Sequence, residues 1–404
     1  MADVDRRTVL RMLGLAVLAV ELAGCASAGD AGLVTSTVAR APQGDPVRST
    51  LSTFAAKLLD GMPAGNVVLS PASIAVVLAM LGNGAAAGTR SEFETVLGTS
   101  VDRLNVELNG LTQRLVALDG QKDTHITFAN ALWVQKGATF LKPFLDALKE
   151  WYGAGARATD FSADPSGAVD TINAWCSSAT KGLIPVIVDT SMITTETRMV
   201  AGNAVHIKGS WATPFSSGLT SREPFRTGSG TQVTVDMMHG TPYLRYLRTS
   251  SCTSIALPFR HPDLAFIVAV PASGSLSLTG LPDLCDVLDT EQTEINLSLP
   301  KFHAEFAQSL KSALTGLGLV DAWTGAADFS ATTGDRSLFL GFVQHRAVLT
   351  VDELGAEGAA VTAGGTAASM PMTSFRVDQP FLWAIAHVPT KTLVMLGRED
   401  DPTR

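Results

Sequence analysis

From residue 47 onward the chain alternates between two hydrophobic periods. Leu51, Phe54, Ala55, Leu58 and Leu59 recur at three-to-four spacing, which predicts a helix. Residues 66–69 read as a short strand. Ser70-Pro71 then opens a run, Ile74 to Leu81, that is apolar on nearly every face, the pattern of a buried helix with proline in its first turn. Ser91-Glu92-Phe93-Glu94 has the form of a capping box and predicts a short helix starting there. Strand patterns follow at 126–135, 199–208, 232–238, 254–259, 265–270 and 294–299, and helical ones at 143–152, 168–180 and 307–317. The last strand patterns lie at 346–353, 380–385 and 393–396. Helices gather early and strands late, without βαβ alternation or internal repeat. That order predicts one α+β domain with more than one sheet.

One segment fits neither period. Gly355 to Ser369 is small-residue and nearly uncharged, yet it lies between strands of the same domain. Read alone it is a flexible linker. A loop of this length inside a domain is uncommon, however, and usually functional or disordered. Its parity points to function. Ala356, Gly358, Ala360, Thr362, Gly364, Thr366 and Ala368 are all small and uncharged, while the lone charge, Glu357, falls on the other parity. As a strand, the segment would bury one face without burying a charge.

Composition narrows the function classes. The 404 residues are 46% apolar and 17% charged, enough for a large core. The formal net charge of -8 and the absence of a Lys/Arg cluster argue against nucleic acid or another polyanion as partner. Seven dispersed histidines without His-Glu-x-x-His, and cysteines without ligand spacing, give no metal site and imply no cofactor. Cys176, Cys252 and Cys285 read as core or free thiols rather than a disulfide framework. Ser70 and Ser73 lack the Ser-x-x-Lys and Gly-x-Ser-x-Gly contexts of nucleophilic serines, so no hydrolase constellation appears.

The first 24 residues read as an export signal. Asp5-Arg6-Arg7-Thr8-Val9-Leu10-Arg11 resembles a twin-arginine motif, with Asp5 where Ser or Thr is usual; general secretion is the other route. The apolar run that follows is too short to span a bilayer, which takes ~20 residues. Leu22-Ala23-Gly24-Cys25 resembles a bacterial lipobox, so Cys25 is the expected lipidation site. Residues 25–46, rich in small residues and proline, would tether a domain at 47–401 to a membrane outside the cytoplasm.

From about Val47 to Asp401 the chain resembles the serpins, the serine-protease-inhibitor family, through motifs in family order. These are Asn66-Val67-Val68-Leu69-Ser70-Pro71-Ala72-Ser73-Ile74, Asn203-Ala204-Val205-His206-Ile207-Lys208-Gly209-Ser210-Trp211 with Pro214-Phe215, Leu299-Pro300-Lys301-Phe302, His345 to Gly355, and Pro380-Phe381-Leu382-Trp383. The resemblance implies three β-sheets, eight to nine helices, and an exposed reactive loop at 355–379 that can enter the main sheet. It implies a gate under that sheet (Ser70, Ser73, Asn203, His345) and a sheet opening marked by Trp211, Lys301 and Glu353. The hinge runs through Glu353, Gly355, Ala356, Glu357, Gly358, Ala359, Ala360 and Thr362. Ala356 stands where inhibitory hinges most often carry Thr or Ser. The reactive bond falls at Ser369-Met370, with Thr366, Ala367 and Ala368 as subsite residues and cleavage after Ala368 as the alternative. The implied activity is suicide-substrate inhibition of a serine protease by a native monomer, through a covalent acyl complex. Small tip residues suit elastase-like or subtilisin-like targets. A non-inhibitory binding or structural lipoprotein on the same fold, cut as a plain substrate, is the second reading.

Overall fold

The computed structural model describes residues 33–34, 48–272, 274, 276–279, 283–356 and 373–404. The export signal, Cys25 and loop residues 357–372 lie outside the described residues, and with them Glu357, Gly358, Ala359, Ala360, Thr362, Thr366, Ala367, Ala368, Ser369 and Met370. Seventeen strands and eight α-helices form the described structure.

The main sheet has seven strands. In spatial order they are β1 (Leu33–Val34), β4 (Ala156–Thr159), β3 (His125–Gln135), β5 (Met199–Ser210), β14 (Gly355–Ala356), β13 (Leu340–Val351) and β12 (Phe302–Ser309). The other ten strands start with β2 (Val67–Leu69), β17 (Thr392–Glu399), β16 (Phe381–His387), β10 (Leu264–Pro271), β9 (Cys252–Pro258) and β8 (Tyr243–Arg248). They continue into β11 (Gln292–Pro300), β7 (Gln232–Gly240) and β6 (Ser221–Arg226), with β15 (Thr373–Arg376) on the side of β11. The three sheets implied by the resemblance are present, two of them continuous through β11. Its first residues pair β8 and its later ones pair β7 and β15.

The helices are α1 (Arg48–Asp60), α2 (Pro71–Gly84), α3 (Ala87–Leu97), α4 (Val101–Val116), α5 (Lys142–Tyr152), α6 (Pro165–Ala179), α7 (Lys311–Gly316) and α8 (Ser330–Thr333). Helix α2 is the hub, as its all-round apolar pattern predicts. It packs on β3 and β5 on one side and on β17 on the other, and Ser70 caps it by accepting from the Ser73 amide. The opposite face of the main sheet carries a separate core under α6, where Trp133 meets Trp175 edge-on at 4.9 Å. The main sheet is therefore buried on both faces in its lower part, while on the α6 face Lys208, Arg346, Val348 and Thr350 higher up are only partly buried.

Several sequence expectations need correction. The helix predicted from Ser91 begins at Ala87, and Ser91 sits inside it with its hydroxyl bonded back to the Ala87 carbonyl. Glu94 pairs with Arg90 and accepts from the Val101 amide, while Glu92 accepts amides of Val320, Asp321 and Ala322. The carboxylates of that motif cap other elements, not their own helix. The 307–317 helix pattern splits: alternation of Phe302, Ala304 and Phe306 carries β12 through Ser309, and only Lys311–Gly316 is helical. Within the 25–46 segment read as a tether, Leu33 and Val34 pair with Arg157 and Ala156 at the sheet edge. Cys176, Cys252 and Cys285 are free and buried, with burial pushing their thiols up to about 12, 11 and 12.

Candidate functional site: a sheet gate and its hinge

The site is the contact between β5 and β13 at the middle of the main sheet. These two strands run parallel in register from Leu340 opposite Met199 to Val348 opposite His206. Above that level they separate, and Gly355–Ala356 lies between them. Ala356 pairs with Val351 of β13 and with Gly209 of β5, and Gly355 pairs with Ser210. The expected 355–379 loop is thus shorter than the sequence implied. Its first two residues are already a buried strand in the sheet, and its last ones form β15 beside β11.

The geometry at this entry point explains its residues. A Cβ on Gly355 would lie 2.2 Å from the Gly209 carbonyl oxygen, so only glycine lets the backbone pass. Ala356 is fully buried, which accepts a methyl but no charge. Asp352 turns the chain from β13 into β14: its Oδ1 accepts the amides of Leu354 (2.8 Å) and Gly355 (3.2 Å), and its own amide donates to the Gly355 carbonyl. That turn ends β13 at Val351, two residues before the pattern predicted.

Around the entry point, Trp211 donates its indole N–H to the Asp352 carbonyl and its amide to the Leu354 carbonyl, and its ring stacks on Phe259 at 5.0 Å. Lys301 Nζ lies 2.8 Å from Glu353 Oε2, and Thr220 donates to the same carboxylate at 2.8 Å. Burial pushes the Glu353 carboxyl up, but the Lys301 and Thr220 hydrogen bonds outweigh it and hold it below its ordinary value. The Glu353 side chain is 13% exposed, so this is not a free surface pair.

One turn of sheet below, the gate is closed by a chain of polar groups under β5 and β13. Asn203 and His345 face each other in register, and His345 Nδ1 donates to Asn203 Oδ1 at 2.5 Å. His345 Nε2 accepts the Ser70 amide at 3.3 Å, which fixes the proton on Nδ1. Asn203 donates to Ser73 Oγ at 2.5 Å, and Ser70 Oγ donates to the Val394 carbonyl at 2.7 Å. Complete burial lowers the His345 pKa to about 3, so the ring is neutral. Ser70, Ser73, Asn203 and His345 come together as the motifs implied, and so do Trp211, Lys301 and Glu353.

Sequence reasoning missed three participants. Asn130 on β3 joins the gate, accepting from Ser73 Oγ (3.3 Å) and from Asn203 (2.5 Å). A lone amide between Ala129 and Ala131 in an apolar strand was the available signal. Asp352, three residues before a glycine, was the other. Thr220 approaches from a distant loop and left no local trace. The arrangement holds no nucleophile-base pair. Among the described residues no cluster of His, Cys, Asp or Glu could hold a metal, and no helix is long and apolar enough to cross a membrane.

The site is thus a parallel strand pair closed by polar groups, with the start of a loop seated between its upper halves. The chain belongs to the serpin family: the model of "Serpin (serine protease inhibitor)" matches residues 49–402. A leukocyte elastase inhibitor of Xenopus laevis is 32% identical over 363 residues, covering 86% of this chain and 96% of its own. The leukocyte elastase inhibitor of Homo sapiens is 30% identical over 380 residues, covering 88% and 98%. The native-state structure of the thermophilic serpin Tengpin superposes with a TM-score of 0.82 at 25% identity, covering 91% of this chain and 97% of that one. The Xenopus laevis and Homo sapiens relatives are both named as inhibitors of leukocyte elastase.

Proposed function

We propose that this protein is a suicide-substrate inhibitor of elastase-like or subtilisin-like serine proteases, held outside the cytoplasm by lipid on Cys25. The observation that carries this reading is the register of β14. Ala356 lies opposite both Gly209 and Val351, antiparallel to each. Continued downward in that register, the strand sets Gly358 opposite Ile207 and Leu349, Ala360 opposite Val205 and Ala347, and Thr362 opposite Asn203 and His345. The small face of the loop then meets the buried core, and its one mid-face hydroxyl arrives at the polar gate. Thr366 reaches Met199, the start of β5, so Ser369 emerges beyond the far end of the sheet.

The chemistry follows from that path. A protease attacks the Ser369 carbonyl, its serine oxygen forms an ester with that carbon, and the Ser369–Met370 amide bond breaks with the Met370 amine leaving protonated. Cleavage frees the arm from its tether to β15. The fourteen residues 356–369 then add as a strand, spanning roughly 45 Å at ~3.3 Å each. The ester-linked protease is carried with them. Deacylation requires a preorganised oxyanion hole, and displacements of ~1 Å cost on the order of a hundredfold. Insertion must therefore outrun hydrolysis, and the native fold is a kinetic trap.

Target preference rests on the tip. Ala367-Ala368-Ser369 offers neither the cation a trypsin-like pocket takes nor the ring a chymotrypsin-like pocket takes. The elastase inhibitors among the relatives agree with that preference. Incubation of the soluble chain with pancreatic-type elastase, followed by a denaturing gel, is expected to show a covalent complex that survives detergent. Cleaved chain alone, with free active elastase, would instead support the non-inhibitory lipoprotein. Radiolabelled palmitate incorporation lost in Cys25→Ala checks the anchor.

A further inference from the structure

A second polar cluster lies outside the gate, on one face of the sheet formed by β15, β11, β7 and β6. Ser298 of β11 stands directly opposite Arg376 of β15 on one side and His239 of β7 on the other, so the three side chains share that face. Ser298 Oγ lies 3.0 Å from His239 Nδ1, and His239 Nε2 lies 2.7 Å from Glu223 Oε1 of β6. Ser221 donates to the same carboxylate oxygen at 2.6 Å. Arg376 donates to the other at 2.7 Å, reaching across β11 and β7. The hydrogen bond from Ser221, joined by those of Arg376 and His239, outweighs burial and holds the Glu223 carboxyl down to about 2. Ionised Glu223 only accepts, which places the proton of the neutral imidazole on Nε2 and leaves Nδ1 to accept from the Ser298 hydroxyl. Ser298-Leu299-Pro300-Lys301 also has the Ser-x-x-Lys spacing, but its lysine is engaged by Glu353 at 2.8 Å.

We propose that Ser298 is a reactive serine that takes short acyl groups from small esters, with His239 as its base, Glu223 orienting the imidazole and Arg376 beside the oxyanion. The order of groups is that of a nucleophile, a base and an orienting acid. Ser298 Oγ attacks the ester carbonyl and passes its proton to His239 Nδ1. The carbon–oxygen bond to the alcohol breaks, and the leaving oxygen takes that proton. Water then attacks the acyl-serine, His239 takes its proton and returns it to Ser298 Oγ, and the carboxylic acid leaves. Burial sets the size of the acyl group. Ser298 is 9% exposed, between His239 and Arg376 side chains that are 28% and 39% exposed, so an acetyl-sized group reaches it from solvent while a bulky one meets the flanking side chains. This chemistry uses none of the gate or loop residues and does not depend on the function proposed above.

The test uses the full soluble chain, uncut, with p-nitrophenyl acetate as probe and p-nitrophenyl pivalate as the bulky control. Release of p-nitrophenol is followed by absorbance, and the acetylated residue is mapped by mass spectrometry after an acid quench. Acetyl on Ser298 is expected, with the pivalate turned over far more slowly. Release is expected to fall roughly a hundredfold in Ser298→Ala and in His239→Ala, with added imidazole restoring the histidine variant but not the serine one. His239→Gln separates chemistry from structure, since its amide can bond both Glu223 and Ser298 but cannot serve as a base. It is expected to melt with the wild type and to lose release as His239→Ala does. Acetyl found only on lysines or other side chains, or release unchanged in Ser298→Ala, overturns the reactive serine. Release kept in His239→Gln overturns the histidine as its base.

Discussion

Two buried titratable side chains place opposite pH limits on the native state. His345 takes up its proton near 3 when folded and near 6.5 when unfolded, because burial disfavours the imidazolium. Its contribution is complete above pH 6.5 and is lost as the pH falls toward 3. Glu399 runs the other way. It is fully buried and accepts from Asn66 at 2.5 Å; burial, then the neighbouring Asp401 and Asp400, push it up to about 9. The folded state keeps this proton, so stability falls as the pH rises from 4.5 to 9. Glu399→Gln retains the shape without the titration. It is expected to raise the native melting temperature at pH 8 by roughly 2–5 °C and to change it little at pH 4.5. An equal shift at both pH values contradicts the assignment. Glu353→Lys tests a second carboxylate: it replaces the partner of Lys301 and Thr220 with a like charge at the base of the hinge. Polymers on size-exclusion chromatography after mild heating are expected, and a variant that stays monomeric and fully active contradicts the brace.

At the scale of elements, β14 decides on the proposed mechanism whether the molecule traps or is merely cut. Ala356→Arg puts a charge where the sheet is dry. The variant is expected to be cleaved at the wild-type rate yet to give less than a tenth of the covalent complex, measured by gel densitometry. The same register sets Glu357, the loop's lone charge, opposite Lys208 when the strand enters. Lys208→Glu is expected to raise the stoichiometry of inhibition, and Lys208→Glu with Glu357→Lys to restore it; no rescue in the double variant refutes the register. Much of this was legible from residue pattern. The alternation of small residues after Gly355 predicted a face fit for burial, and Ala356 is buried. The all-round apolar run after Ser70-Pro71 predicted the central helix, and α2 is it. Elements closed by distant partners were not legible. The short strand β15 is held by β11, far back along the chain, and β8 is completed by β11 beside its hairpin partner β9. Glu92 and Glu94 look like local caps and serve remote amides, because a sequence motif cannot show which amide lies nearest in space.

On the proposed mechanism the whole molecule stores free energy in an incomplete sheet. The β5–β13 contact is short of a full parallel ladder, its upper end is held apart by two residues of the loop, and its middle is closed by side-chain hydrogen bonds rather than by another strand. Completing the sheet with the loop would replace those contacts with two antiparallel ladders along β5 and β13 and bury the small-residue face. On that mechanism gate, hinge and loop act as one device, with the Asp352 turn and the Lys301–Glu353–Thr220 cluster setting where entry begins. The direct measurement is thermal unfolding of the chain before and after loop cleavage by a protease that does not become trapped, with the cut mapped by mass spectrometry. A rise of tens of degrees on cleavage, with amides of β5 and β13 newly protected from exchange, is the predicted result. A cleaved chain that unfolds at the temperature of the intact one, with no added protection in those strands, contradicts the account.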